Sequence, residues 1–151
     1  MKTTWNRKRT LTTIALPIAL LLVVGGLQAN AEADQNCSNA SLTGTYGFQI
    51  TGGIPGVMAI SGVSRLSFDG QGNFTQIGDS QILINGQPPM VSLGVPGSGT
   101  YIVNPDCTGT ETLTIGGKVH HSTFVLVDHG KEVLDMNADP GVVITGVGKK
   151  Q

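Results

Sequence analysis

Leu42-Thr-Gly44-Thr-Tyr46-Gly-Phe48-Gln-Ile50-Thr51 decides the fold. Its even positions are Leu, Gly, Tyr, Phe and Ile, and its odd ones Thr, Thr, Gly, Gln and Thr. Successive side chains of a β-strand point to opposite faces, so this stretch reads as a half-buried strand. Working outward, Met58, Ile60, Leu66 and Phe68 share one face of the next segment. Phe74, Ile82 and Ile84 share one in the third, where Gly78-Asp79 marks a bend or bulge. Further strand segments are 99–104, 108–115, 118–127, 131–137 and 142–148. Residues that tolerate tight turns separate them: Asp69-Gly-Gln-Gly-Asn73, Asn85-Gly86, the run from Asn104 to Gly109, Gly116-Gly117, Asp128-His-Gly130 and Ala138-Asp-Pro-Gly141. No ten residues of this region carry apolar positions at helical spacing without a Gly, Pro or β-branched interruption.

The fold class is therefore all-β, a single antiparallel meander of about eight strands. Such a meander must hide two faces and two edges. A closed up-and-down barrel does both and is favoured over a β-sandwich, because the connections are too short for Greek-key crossovers. One stretch departs from the pattern. Residues 86–99 hold three prolines and four glycines, and proline cannot donate to a ladder. They are expected to form a loop over one barrel mouth or a poorly paired edge, with Met90, Val91, Leu93 and Val95 as apolar side chains at the rim.

The first residues have a different character. Lys2, Arg7, Lys8 and Arg9 precede an eleven-residue apolar run, Ile14 to Val24, and Ala29-Asn30-Ala31 follows. The run is too short for a membrane span, which needs about 20 residues. With its basic flank and small-x-small end it reads as a cleavable signal peptide, 1–31, before a single β domain, 32–151. That implies export to the periplasm or the medium of a bacterium, with no stable membrane span after cleavage. The domain keeps five basic residues and all ten acids, a formal charge of −5. It lacks the electrostatic footprint that nucleic acid requires. Its two cysteines, Cys37 and Cys107, are expected to pair in an oxidising compartment, where closing so long a loop stabilises by about 4 kcal/mol.

Three stretches carry a resemblance: Cys37-Ser-Asn-Ala40-Ser41-Leu42-x-Gly44-x-Tyr46-Gly47-Phe48, Phe68-Asp69-Gly70-x-Gly72-Asn73, and the run from Gly99 to Thr110 with Asp106-Cys107-Thr108-Gly109 inside it. Together with 124–132 and Gly146-Val147 they resemble a loose group of small exported bacterial proteins of unknown function. The Gly44-x-Tyr46 opening is also similar to the first strand of calycin-type barrels such as lipocalins, which use Gly-x-Trp. Those resemblances imply a small exported barrel and, from the second, a ligand in its interior.

No catalytic, cofactor or zinc pattern is present. His120 and His121 are adjacent on a strand and must face opposite ways, and His129 lies in a turn. Asp79, Glu111 and Asp135 are the acids within strand patterns; one facing inward has a raised pKa, as a general acid requires. Arg65 either joins such an acid inside or lies on the surface. Thr108, Thr110, Thr112 and Thr114 form a solvated row. Candidate ligand contacts are Tyr46, Arg65, Met90, Leu93 and Tyr101, with no metal and no cofactor.

The first functional reading is a non-enzymatic barrel binding a small apolar ligand. The alternatives are a small barrel enzyme of cyclase or isomerase type, using an inward acid with Tyr46 or Tyr101, and an envelope-associated structural or interaction protein. The interior discriminates them. An apolar cavity of about 300 Å³ or more favours a ligand, a buried carboxylate beside a Tyr favours an enzyme, and a solid core leaves the interaction protein.

Overall fold

A computed structural model describes residues 36–151. The segment read above as a signal peptide, 1–31, lies outside the described residues. The domain is the expected all-β meander: β1 (Thr43–Ile54), β2 (Met58–Asp69), β3 (Asn73–Ile84), β4 (Met90–Val103), β5 (Thr108–Ile115), β6 (Lys118–Val127), β7 (Glu132–Asn137) and β8 (Val143–Lys150). Each strand pairs antiparallel with the next, and β8 returns to β1 through Tyr46↔Lys150 to Gly53↔Val143, closing the barrel. Closure leaves no free edge.

The stretch expected as a mouth loop is a correction: residues 90–103 form one continuous strand. Pro96 is tolerated for a geometric reason. The Tyr101 N–H points to Gly72 on the β3 side, so by alternation the nitrogens of Thr100, Ser98 and Pro96 face β5. Pairing with β5 begins only at Gly97↔Ile115, one residue short of Pro96, so no ladder bond is lost. The bulge foreseen at Gly78-Asp79 is real, and its extra residue is on β4. Leu93 and Gly94 together oppose Asp79, whose Oδ1 accepts the Gly94 N–H at 2.7 Å. Gly94 takes the positive φ (+60°) that such a bulge favours.

The alternation sends Tyr46, Phe48, Leu66, Phe68, Phe74, Tyr101, Val103, Phe124, Leu126 and Val133 into one end of the barrel, where all are buried. Three of these rings lie over glycines directly across a strand pair: Phe48 on Gly148, Phe74 on Gly99 and Phe124 on Gly109. A Cβ built on those glycines would fall 2.3, 2.7 and 2.2 Å from the ring. The glycines therefore make the space that the rings fill. Phe68 joins them edge-on to Tyr46 and Tyr101, with centroids 5.4 and 5.3 Å away.

The same end is sealed from outside. A 3-10 turn, Asn39–Ser41, precedes β1, and Asn39 Oδ1 accepts the Val103 N–H at 2.8 Å. Cys37 and Cys107 form the expected disulfide, Cα atoms 5.0 Å apart, and the Cys37 N–H donates to Pro105 O at 3.1 Å. Leu42 is fully buried in the same core.

Candidate functional site

The opposite end is reached by the 55–57, 85–89, 116–117 and 138–142 connections. There the inward positions carry Ile50, Ile60, Ser64, Ser80, Ser92, Val95, Ile115, Asn137 and Ile144, most of them smaller than the rings at the other end. Beneath them lie Phe48, Leu66, Gln76 and Leu113, the last two packed across Gly97. The small residues leave a cavity of about 260 Å³. It falls short of the about 300 Å³ expected above of a ligand cavity, so it has room only for something smaller than a drug-sized molecule. An engineered cavity of about 150 Å³ takes up benzene, so this one suits a molecule of roughly ten non-hydrogen atoms.

One wall is acidic. On β5, Thr108, Thr110 and Thr114 keep their partly or fully exposed row while Glu111, Leu113 and Ile115 turn inward. Glu111 pairs across to Ser122 on β6, and Ser122 to Asn137 on β7, forming a transverse polar row inside the barrel. Asp135 sits two residues along β7, opposite Gly146, where an added Cβ would come 3.2 Å from Asp135 Oδ1. Glycine at 146 gives the carboxylate its space. Burial pushes Glu111 up to about 8, reinforced by the charge of Asp135. Asp135 is raised to about 6 by burial, against the opposing effect of a Ser122 hydrogen bond. Near neutral pH the two carboxyls hold about one proton between them.

The hydrogen bonding of this wall is incomplete. Asp135 Oδ2 is fully buried and has no hydrogen-bond partner among the described residues. The Gln76 side chain, 9% exposed, lines the cavity, and no protein group among the described residues bonds its amide. No Lys or Arg among the described residues lines the cavity. His120 reaches the lining near the mouth, with Nδ1 3.9 Å from Asp139 Oδ2, while His121 faces outward with Nδ1 2.8 Å from Asp139 Oδ1. The two histidines face opposite ways, as strand geometry demands.

None of the five side chains first marked as ligand contacts lines this cavity. Arg65 points outward and is exposed; its odd position in β2 puts it on the face opposite Leu66 and Phe68. Met90 and Leu93 are exposed on β4, 46% and 73%, while Ser92 and Val95 are the residues of that stretch that reach the lining. Tyr46 and Tyr101 are inward, but at the sealed end. The Tyr46 hydroxyl donates to Gly130 O, and the Tyr101 hydroxyl donates to Leu42 O at 2.7 Å. Burial holds both phenols above their ordinary pKa. Tyr101 is the cross-strand neighbour of Glu111, yet its hydroxyl is committed in the other direction. The inward acid and the Tyr hydroxyl needed by the enzyme reading are thus not brought together. Gln76, Ser122 and Asn137 escaped notice because polar residues at inward parity look like breaks in an apolar face. No protein-family model, curated protein or solved structure matches this chain.

Proposed function

We propose that this is an exported, non-enzymatic barrel that carries a small, largely apolar molecule in its interior. The cavity carries the reading: about 260 Å³ walled by Phe48, Ile50, Ile60, Leu66, Leu113 and Ile144. A barrel this small is readily filled by its own side chains, and here the sealed end is filled while the other is not. Ser64, Ser80 and Ser92 stand where larger apolar residues would close the gap. Export is supported by the basic and apolar pattern of 1–31 and by the Cys37–Cys107 bond, which suits an oxidising compartment.

The test is native mass spectrometry of protein purified from its own exported fraction, without denaturation. The reading expects a co-purifying species of low mass, released on unfolding, on a chain whose first residue is Glu32. Mass equal to the bare polypeptide, together with no thermal stabilisation by any small apolar compound, would overturn the carrier function. A chain still beginning at Met1 would overturn export.

A further inference from the structure

We infer that the molecule this cavity takes carries a basic nitrogen, a small hydrophobic amine whose N–H groups meet Glu111, Asp135 and Gln76. The inference rests on the carrier reading above and names the chemistry of its ligand. Charge is the first ground. Two carboxyls face one small cavity, on β5 and β7, and no Lys or Arg among the described residues lines it. A buried carboxylate without a counter-charge is costly. Within this wall the barrel supplies only Ser122 and Asn137, which are neutral.

Unsatisfied acceptors are the second ground. Among the described residues, Asp135 Oδ2 is buried with no donor, and Gln76, a residue 9% exposed that lines the cavity, has no side-chain hydrogen-bond partner. Native proteins pair such groups with protein, water or ligand. An ammonium offers up to three donors and the missing charge, and its hydrocarbon body suits Ile50, Leu66 and Ile144. An anionic ligand would meet like charge. A purely apolar one would leave the acceptors unpaired, at about 1–3 kcal/mol each.

The other titratable groups near the cavity do not supply a counter-ion from within. The Asp79 carboxylate on β3 is occupied by the Gly94 N–H. His120 on β6 lies on the mouth side, beside Asp139. Seating an ammonium favours ionisation of both Glu111 and Asp135, so at neutral pH binding expels the proton they share. Amine affinity therefore rises with pH between about 5 and 8.

Isothermal titration of the mature protein compares three compounds of similar shape: 2-phenylethylamine, 2-phenylethanol and phenylacetate. The amine is expected to bind at least about tenfold tighter than the alcohol at pH 8, as charge-assisted hydrogen bonds do. Phenylacetate should bind weakest. Proton release should accompany the amine alone, detected as a buffer-dependent heat at pH 7. Glu111→Gln and Asp135→Asn should each cut amine affinity by about tenfold while leaving the alcohol within about threefold. Retained alcohol binding also shows that the variants fold. Alcohol binding as tight as the amine, or variants that weaken both compounds equally, overturns the amine inference and leaves the carrier function standing. If none of the three binds at millimolar concentration, the amine inference falls, and the carrier function is decided by the mass spectrometry above.

Discussion

The two ends of the barrel share eight strands, one alternation and one closure, yet one is solid and the other hollow. At the sealed end, Phe48, Phe74 and Phe124 each lie over a glycine of the neighbouring strand, and Leu42 is fully buried with them. At the mouth the same strands present Ser64, Ser80 and Ser92 inward. The small residues play opposite parts. A glycine paired with a Phe admits the ring, whereas a serine facing other small residues leaves a void. Side-chain volume, placed along each strand, thus separates a stabilising half from a binding half. The bonds that fasten 37–42 across the sealed end, including Cys37–Cys107, concentrate the fold's constraints there.

Removing that fastening is expected to have the largest effect. A Cys37→Ser, Cys107→Ser double variant frees a 70-residue separation, and loop-closure entropy puts the loss at about 4 kcal/mol. Urea denaturation monitored by circular dichroism measures it. Hydrogen exchange of the folded variant sharpens the comparison. Protection should fall first around Cys37, Val103 and Leu126, whose N–H donates to Cys107 O, and later around Glu111 and Asp135. Equal loss at both ends would mean that the constraint is shared by the whole barrel.

The glycine–ring pairs come next. In Gly109→Ala the new methyl would lie 2.2 Å from the Phe124 ring and 2.6 Å from Ile102 O. Neither neighbour moves freely in a packed core, so a cost of about 2–3 kcal/mol is expected, as for overpacking elsewhere. The same change at Ser80, on the cavity wall, should stay within about 0.5 kcal/mol because there is room to adjust. If Ser80→Ala were the costlier of the two, the division into solid and hollow ends would be wrong.

Much of this was legible in the sequence, and the misses have identifiable causes. Period-two alternation found the strands, the closure and the opposed faces of His120 and His121. It also marked Asp79, Glu111 and Asp135 as strand acids without saying which face inward; Glu111 and Asp135 do, while Asp79 accepts the Gly94 N–H at the bulge. Of the two places left open for Arg65, an inner ion pair and the surface, parity alone selects the surface, with Val63. Alternation alone gives a side chain's face and says nothing of its height along the axis. Tyr46 and Tyr101 are inward as read, but at the sealed end, because height follows from register. Register also makes the Phe–Gly pairs, which join residues such as Phe48 and Gly148 from opposite ends of the domain. Strand β4 was hidden by Pro96, whose harmless direction depends on β5 stopping at Ile115.

The smallest expected effect concerns the mouth end alone and follows from the two inward acids. Both have folded-state pKa values above their ordinary ones, about 8 for Glu111 and about 6 for Asp135. A raised acid pKa means that the folded protein holds protons which the unfolded chain has released. Stability therefore falls as pH rises, beginning near the ordinary carboxylate values and continuing through about 6 and then about 8. Water entering the cavity moderates the cost, which we set at about 2 kcal/mol over that window. Surface carboxylates act the other way. Asp69, lowered to about 2 by the Asn73 and Gln71 donors, and Asp106 and Asp139, also lowered, lose their favourable bonds only in stronger acid. The stability maximum should consequently lie near pH 4–5, between the two sets. Urea midpoints measured from pH 3 to pH 9 test this, and Glu111→Gln should flatten the alkaline limb while leaving the acid limb unchanged. A wild-type profile that rises from pH 5 to pH 8 would show that the two carboxyls are already compensated, and the mouth end would then lack the unmet charge that sets it apart from the sealed one.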